Sequence, residues 1–152
     1  MTRSFFAIVL IAGSALSTGT AAQNDLQKSG PAANCPASAS ELPVTALYGA
    51  WQASFDGLPG VASVRLAKHP EYAGGVRGTI ERSGGASAQL AGDIDDDGLL
   101  TLDESQDGRA ISAVWSGELQ PGSCGKEFKG TWRNAKDDST HPFTLSRTGG
   151  RQ

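Results

Sequence analysis

Between Leu47 and Trp132 one short pattern of apolar and polar positions keeps returning: apolar, any residue, glycine, any residue, apolar. It reads Leu47-Tyr-Gly-Ala-Trp51, Val76-Arg-Gly-Thr-Ile80, Leu90-Ala-Gly-Asp-Ile94, Trp115-Ser-Gly-Glu-Leu119 and Phe128-Lys-Gly-Thr-Trp132. A sixth formal match, Tyr72 to Val76, sits in a Gly-Gly stretch and is set aside. Chance placement of the 20 glycines would give roughly one match, so the pattern is a repeat. Its period of two is that of a strand with one buried face. The apolar residues and the glycine share that face, while Arg77, Thr79, Glu118, Lys129 and Thr131 lie on the other. An inward glycine leaves room for a large side chain opposite or lets the strand bend sharply.

Turn signals divide the region into eight strands, expected near 46–55, 61–68, 75–82, 87–94, 99–105, 109–119, 126–134 and 141–147. From Ala46 onward nothing reads as a helix. The connections are short, which makes sequence neighbours antiparallel neighbours in space. The expected fold is all-β: an eight-stranded antiparallel up-and-down barrel, which leaves no open edges. A sandwich of two four-stranded sheets is the alternative. An outer-membrane barrel needs an apolar outer band. Here the outward face carries Arg65, Arg77, Glu81, Asp103, Glu118, Lys129 and Arg133, while Trp51, Trp115, Trp132, Phe128 and Leu145 face the glycine side. An integral membrane protein is not expected.

The segments before the strands add a compartment. Arg3 precedes an apolar run from Phe5 to Leu16, and Thr20-Ala21-Ala22 offers a cleavage signal before Gln23. Residues 1–22 therefore read as a secretory signal peptide, cut after Ala22, and the protein as periplasmic or secreted. Residues 23–45, rich in Ala, Ser, Asn and Pro, read as an irregular leader, 46–148 as the barrel domain and 149–152 as a tail. Cys35 and Cys124 are the two cysteines, and in an exported chain such a pair points to one disulfide tethering the leader. The net charge of −3 argues against nucleic acid and anionic membrane surfaces as partners.

Gly49-Ala-Trp51 resembles the Gly-x-Trp on the first strand of the calycins, the superfamily of lipocalins and avidins. Many lipocalins also pack a basic residue of the last strand on that tryptophan, a role the resemblance offers to Arg147. Trp115-Ser-Gly117 and Gly130-Thr-Trp132-Arg-Asn134 look like phrases of bacterial avidins. The resemblance spans roughly residues 46–147 and implies the barrel architecture. It does not imply biotin binding, because the polar residues that avidins place after the first strand have no match from Gln52 to Asp56.

One stretch matches a metal motif. Asp93 to Glu104, DIDDDGLLTLDE, fits the calcium-loop pattern D-x-[DN]-x-[DN]-G-x5-E, with Asp93, Asp95 and Asp97 as candidate ligands. An EF-hand needs helices on both sides of the loop, and three glycines before it and Asp107-Gly108 after it oppose them. The same residues read as a hairpin with Leu90, Ile94, Leu100 and Leu102 inward and an Asp-Gly turn at the tip. Glu104 then lies far down the next strand, and no cofactor is expected, calcium being the alternative.

In a meander alternate loops gather at one end. The loops around His69, Asp95 to Gly98 and Cys124 should cluster there with the leader, displaying His69, Glu71 and Tyr72, while His141 belongs to the opposite end. No Ser-His-Asp set, HExxH, phosphate loop or CxxC is visible, and the chain is not expected to be an enzyme. The expected function is that of an exported binding protein for a small apolar molecule or an envelope protein. Trp51, Trp115, Trp132, His69, Glu71 and Tyr72 are its candidate contacts. The rival readings are an inhibitor or immunity-type protein acting on an envelope enzyme through its loops, and a structural envelope protein. A filled interior would favour recognition by loops, and an open cavity a small ligand.

Overall fold

The computed structural model describes residues 35–149. The stretch read as a signal peptide with its cleavage point, most of the stretch read as a leader and the end of the tail lie outside the described residues. Eight antiparallel strands close into one barrel in the order β1-β2-β3-β4-β5-β6-β7-β8. They are β1 Gly49–Phe55, β2 Val61–Lys68, β3 Val76–Glu81, β4 Ser87–Ile94, β5 Leu99–Ser105, β6 Ala113–Leu119, β7 Glu127–Asn134 and β8 Thr140–Arg147. Closure comes from β1 pairing with β8, Trp51 opposite Arg147 and Phe55 opposite Phe143. The barrel, not the two-sheet sandwich, is the fold. Every one of the seven charged side chains assigned outward is exposed.

Two boundaries differ from the sequence expectation by more than one residue, both for local reasons. β1 starts at Gly49 because Val44–Leu47 winds into a 3-10 turn, entered from Pro43, whose fixed φ suits a helix start. β6 starts at Ala113 rather than 109 because Asp107 folds the preceding chain back on itself. Its Oδ1 accepts from the Arg109 and Ala110 backbone N–H groups at 2.8 and 2.9 Å.

The repeated glycines prove to be closure points. A Cβ on Gly78, Gly92 or Gly130 would run into the backbone carbonyl of Arg65, Thr101 or Ser116 on a neighbouring strand. The chains come this close because coiling eight strands into a narrow barrel needs sharp local bends. Gly117 and Gly130 pair directly, and the Phe143 ring lies over Gly117, 2.7 Å from where a Cβ would stand. Both roles of an inward glycine, backbone approach and space for a ring, are thus present. Gly130→Val is expected to cost about 1–3 kcal/mol in urea unfolding, the range of overpacking, whereas Thr131→Val, on the outward face, should cost little. A Gly130→Val variant as stable as the parent would mean that β7 is in a different register.

The lumen is filled. Trp51, Ala53, Phe55, Val64, Leu66, Val76, Ile80, Leu90, Leu100, Leu102, Trp115, Phe128, Phe143 and Leu145 form one buried core. One barrel end is closed by the leader. Ala39 and Leu47 are buried in the core there, with Leu42, Val44 and Tyr48 packed against it. The Cys35–Cys124 disulfide ties this plug to the β6–β7 loop. Arg147 locks it further: its guanidinium donates to the Ala46 and Tyr48 carbonyls and lies 5.4 Å from the centre of the Trp51 ring. Trp51 Nε1 donates to the Leu47 carbonyl at 2.8 Å. Gly49, at φ 122°, has the backbone that lets Arg147 pass. The last-strand Arg on the Gly-x-Trp tryptophan is therefore present as geometry. Among the described residues no helix is long and apolar enough to cross a membrane.

Candidate functional site

The end opposite the plug carries the β1–β2, β3–β4, β5–β6 and β7–β8 connections. Here the inward alternation of β5 continues past Leu100 and Leu102 to Glu104, which is 1 % exposed and is the one charged residue buried among those described. An isolated carboxylate at such a place would cost several kcal/mol, so its partners decide whether the fold survives. Arg82, just beyond β3, meets it as a two-pronged pair, Nη1 to Oε1 and Nη2 to Oε2, both at 2.8 Å. Oε2 also accepts from the indole N–H groups of Trp115 and Trp132, each at 3.1 Å. Four donors thus hold one carboxylate, and no buried side-chain polar atom among the described residues lacks a partner.

Aromatic rings pack this pair from the sides. The Arg82 guanidinium carbon lies 5.4 Å from the Phe55 ring centre and 5.9 Å from that of Trp132. Phe55 meets Trp115 and Trp132 edge-on at 5.0 and 5.9 Å. Beyond Arg82 a depression of about 430 Å³ opens to solvent, lined by Arg82, Gln106, Ile111, Trp132, Asn134 and Lys136 among others. The Arg82 side chain is 25 % exposed at its floor.

The rim loops are ordered by their own aspartates. Backbone N–H groups of Ala110 and Arg109, then the Ser105 hydroxyl, hold the Asp107 carboxyl below the usual aspartate range. The Ser139 hydroxyl and N–H do the same for Asp137. A lowered folded value means that this ordering is present above the ordinary aspartate range and is lost as pH falls through the lowered one. The Asp138 carboxylate pairs with Arg133 at 2.7 Å.

The sequence candidates do not assemble into one site. Trp51 lies under the plug and Trp115 is buried between Phe55 and Phe143, so neither faces an opening; both are core residues holding their surroundings in place. Trp132 alone of the three reaches the open end, half-buried. His69, Glu71 and Tyr72 sit at the plugged end, where His69 Nδ1 accepts the Glu71 and Tyr72 backbone N–H groups at 3.1 Å and so closes its own turn. His141 is at the open end, with Nδ1 2.9 Å from the Asp56 carbonyl and its ring 5.8 Å from Trp132. Glu104 and Arg82 were not among the sequence candidates.

The acidic stretch is a hairpin tip. Gly98 N–H donates to the Asp95 carbonyl at 2.9 Å, Leu99 N–H to Asp95 Oδ1 at 2.8 Å, and Gly98 takes φ 84°. That is a turn followed by a left-handed glycine, a common hairpin connection. Asp93 faces outward on β4, and Glu104, the twelfth position of the calcium pattern, is at the other end of the barrel, bound to Arg82. Among the described residues no three His, Cys, Asp or Glu side chains converge as a metal site. Millimolar calcium is therefore expected to move the thermal midpoint by less than about a degree, equally in the parent and in Asp95→Asn/Asp97→Asn. A shift of several degrees, the size a saturated tight site gives, abolished in the double variant, would reinstate a calcium loop.

The fold and site together define a filled, one-end-plugged eight-stranded barrel with a buried Arg–Glu pair under its open mouth. No family model matches the chain, and no curated protein matches it in sequence. Among solved structures it is similar to a redesigned β-barrel, at 18% identity over 70% of this chain and 96% of that one, with a TM-score of 0.48.

Proposed function

We propose that this is an exported, non-enzymatic binding protein that takes a protein partner at the open end of the barrel. The observation that carries the reading is the filled lumen, which supports recognition by the loops over a small apolar ligand inside. The distribution of exposed apolar side chains favours the same end. Leu58 and Val61 flank the β1–β2 turn and Ile111 lies in the β5–β6 loop, across the mouth in strand order, and all three are exposed. Between them lie an arginine and a tryptophan, the residue types that dominate the energetic centre of protein interfaces. Tyr72 is the exposed large apolar side chain at the plugged end. An inhibitor or immunity-type protein would use this surface in the same way.

Native mass spectrometry of the protein isolated from its natural source tests the reading. A bound protein is expected, lost in Ile111→Asp and retained in Tyr72→Asp. Loss in Tyr72→Asp with retention in Ile111→Asp, or no bound protein in the parent, would refute it.

A further inference from the structure

We infer that the β2–β3 turn is a proton-operated latch: when His69 Nδ1 gains a proton, the Glu71 and Tyr72 backbone N–H groups are released and Tyr72 moves. The two histidines use the same ring nitrogen in opposite ways. His69 Nδ1 lies 3.1 Å from the backbone nitrogens of Glu71 and Tyr72, which can only donate, so it accepts and the ring proton is on Nε2. His141 Nδ1 lies 2.9 Å from the Asp56 carbonyl, which can only accept, so there Nδ1 carries the proton. Protonation fills whichever nitrogen is empty. For His141 that is Nε2, and the bond to Asp56 survives. For His69 it is Nδ1, and both bonds are lost together, leaving N–H groups pointed at one another.

The surroundings of His69 accept the charged ring, so the turn is what gives way. The half-buried side chain lines two shallow depressions on the barrel wall, where β4 contributes Asp93, β5 Asp103 and β3 Arg77. Arg77 is tied to Gln89 at 3.1 Å. The turn itself adds Glu71 and the Tyr72 ring, 4.7 Å from the imidazole between centres, and Lys68 precedes His69 in the chain. The change stays local. The His69 N–H to the Gly75 carbonyl at 3.0 Å and the Gly75 N–H to the Tyr72 carbonyl at 3.1 Å do not involve the ring, so the base of the hairpin holds. Tyr72, 67 % exposed, is the large side chain whose presentation the latch sets.

The test is an NMR titration of the full mature protein from about pH 8 to about pH 5, the span in which histidine changes charge. It follows the imidazole nitrogens and the backbone amides. At the alkaline end the ring proton is expected on Nε2 of His69 and on Nδ1 of His141. As the His69 ring charges, the Glu71 and Tyr72 amide resonances should move with it. Their exchange protection, corrected for the intrinsic effect of pH, should fall roughly two- to ten-fold, the scale of one net hydrogen bond each. Protection of the His69 and Gly75 amides should hold. His69→Asn offers the same two N–H groups a side-chain acceptor that does not titrate, and should keep the turn closed throughout. A proton on His69 Nδ1 at the alkaline end, Glu71 and Tyr72 amides that ignore the charging of the ring, or an equal response in His69→Asn would overturn the inference.

Discussion

Glu104→Ala is expected to destabilise the barrel by about 3–5 kcal/mol, the cost of removing one member of a buried charge pair. The loss is not the pair's own attraction but what is left behind. Trp115 is fully buried, so its indole N–H would have no acceptor and no water. The Arg82 guanidinium, packed between Phe55 and Trp132, would keep only the hydration that its 25 % exposure allows. Glu104→Gln keeps the volume and one acceptor oxygen and should cost less, about 1–3 kcal/mol, because a charged hydrogen-bond hub becomes a neutral one. Glu104→Leu combined with Arg82→Leu should recover part of the single-variant loss, since both charges leave together. Urea unfolding of the four proteins measures all of this. A Glu104→Ala variant within about 1 kcal/mol of the parent would mean that the carboxylate is hydrated and the mouth is wider than described.

The second large effect concerns the plug. Cys35 and Cys124 are 89 residues apart, and a cross-link over such a loop stabilises by about 4–5 kcal/mol in the chain-entropy model. Cys35→Ser/Cys124→Ser is expected to approach that loss, with a larger denaturant slope because the unfolded chain expands. The plug should stay in place in the folded variant, held by Leu47 in the core and by Arg147 on the Ala46 and Tyr48 carbonyls. Thiol titration of the oxidised, denatured parent should find no reactive cysteine. A reactive thiol there, or a double-serine variant as stable as the parent, would contradict the tether.

The strands were legible because each has one buried face and the turns between them are short. β2, β4 and β5 fall where the alternation and the Gly and Asp turn residues place them. The hairpin reading of the acidic stretch followed from the same logic and matches the backbone at Asp95 to Leu99. The site was only half legible. Glu104 shares the parity of Leu100 and Leu102, so its inward direction is legible from the alternation, although the same residue is also the twelfth position of the calcium pattern. Arg82 carried no such signal. It lies past the end of β3, and its partner is 22 residues away, met only when the barrel closes. Alternation also reads the face of a strand but not its height. Trp51, Trp115 and Trp132 all read as inward, yet the closed sheet puts the first under the plug, and of the directly paired Trp115 and Trp132 it buries the first fully and leaves the second half-buried at the mouth.

The central claim is that recognition happens at the open end. Amide hydrogen exchange on the complex with the co-isolated partner, against the protein alone, tests it most directly. New protection is expected in residues 56–60, 82–86, 106–112 and 135–139, with residues 69–75, 95–98 and 120–126 unchanged. Protection confined to the second set would place the partner on the plugged end and contradict the account.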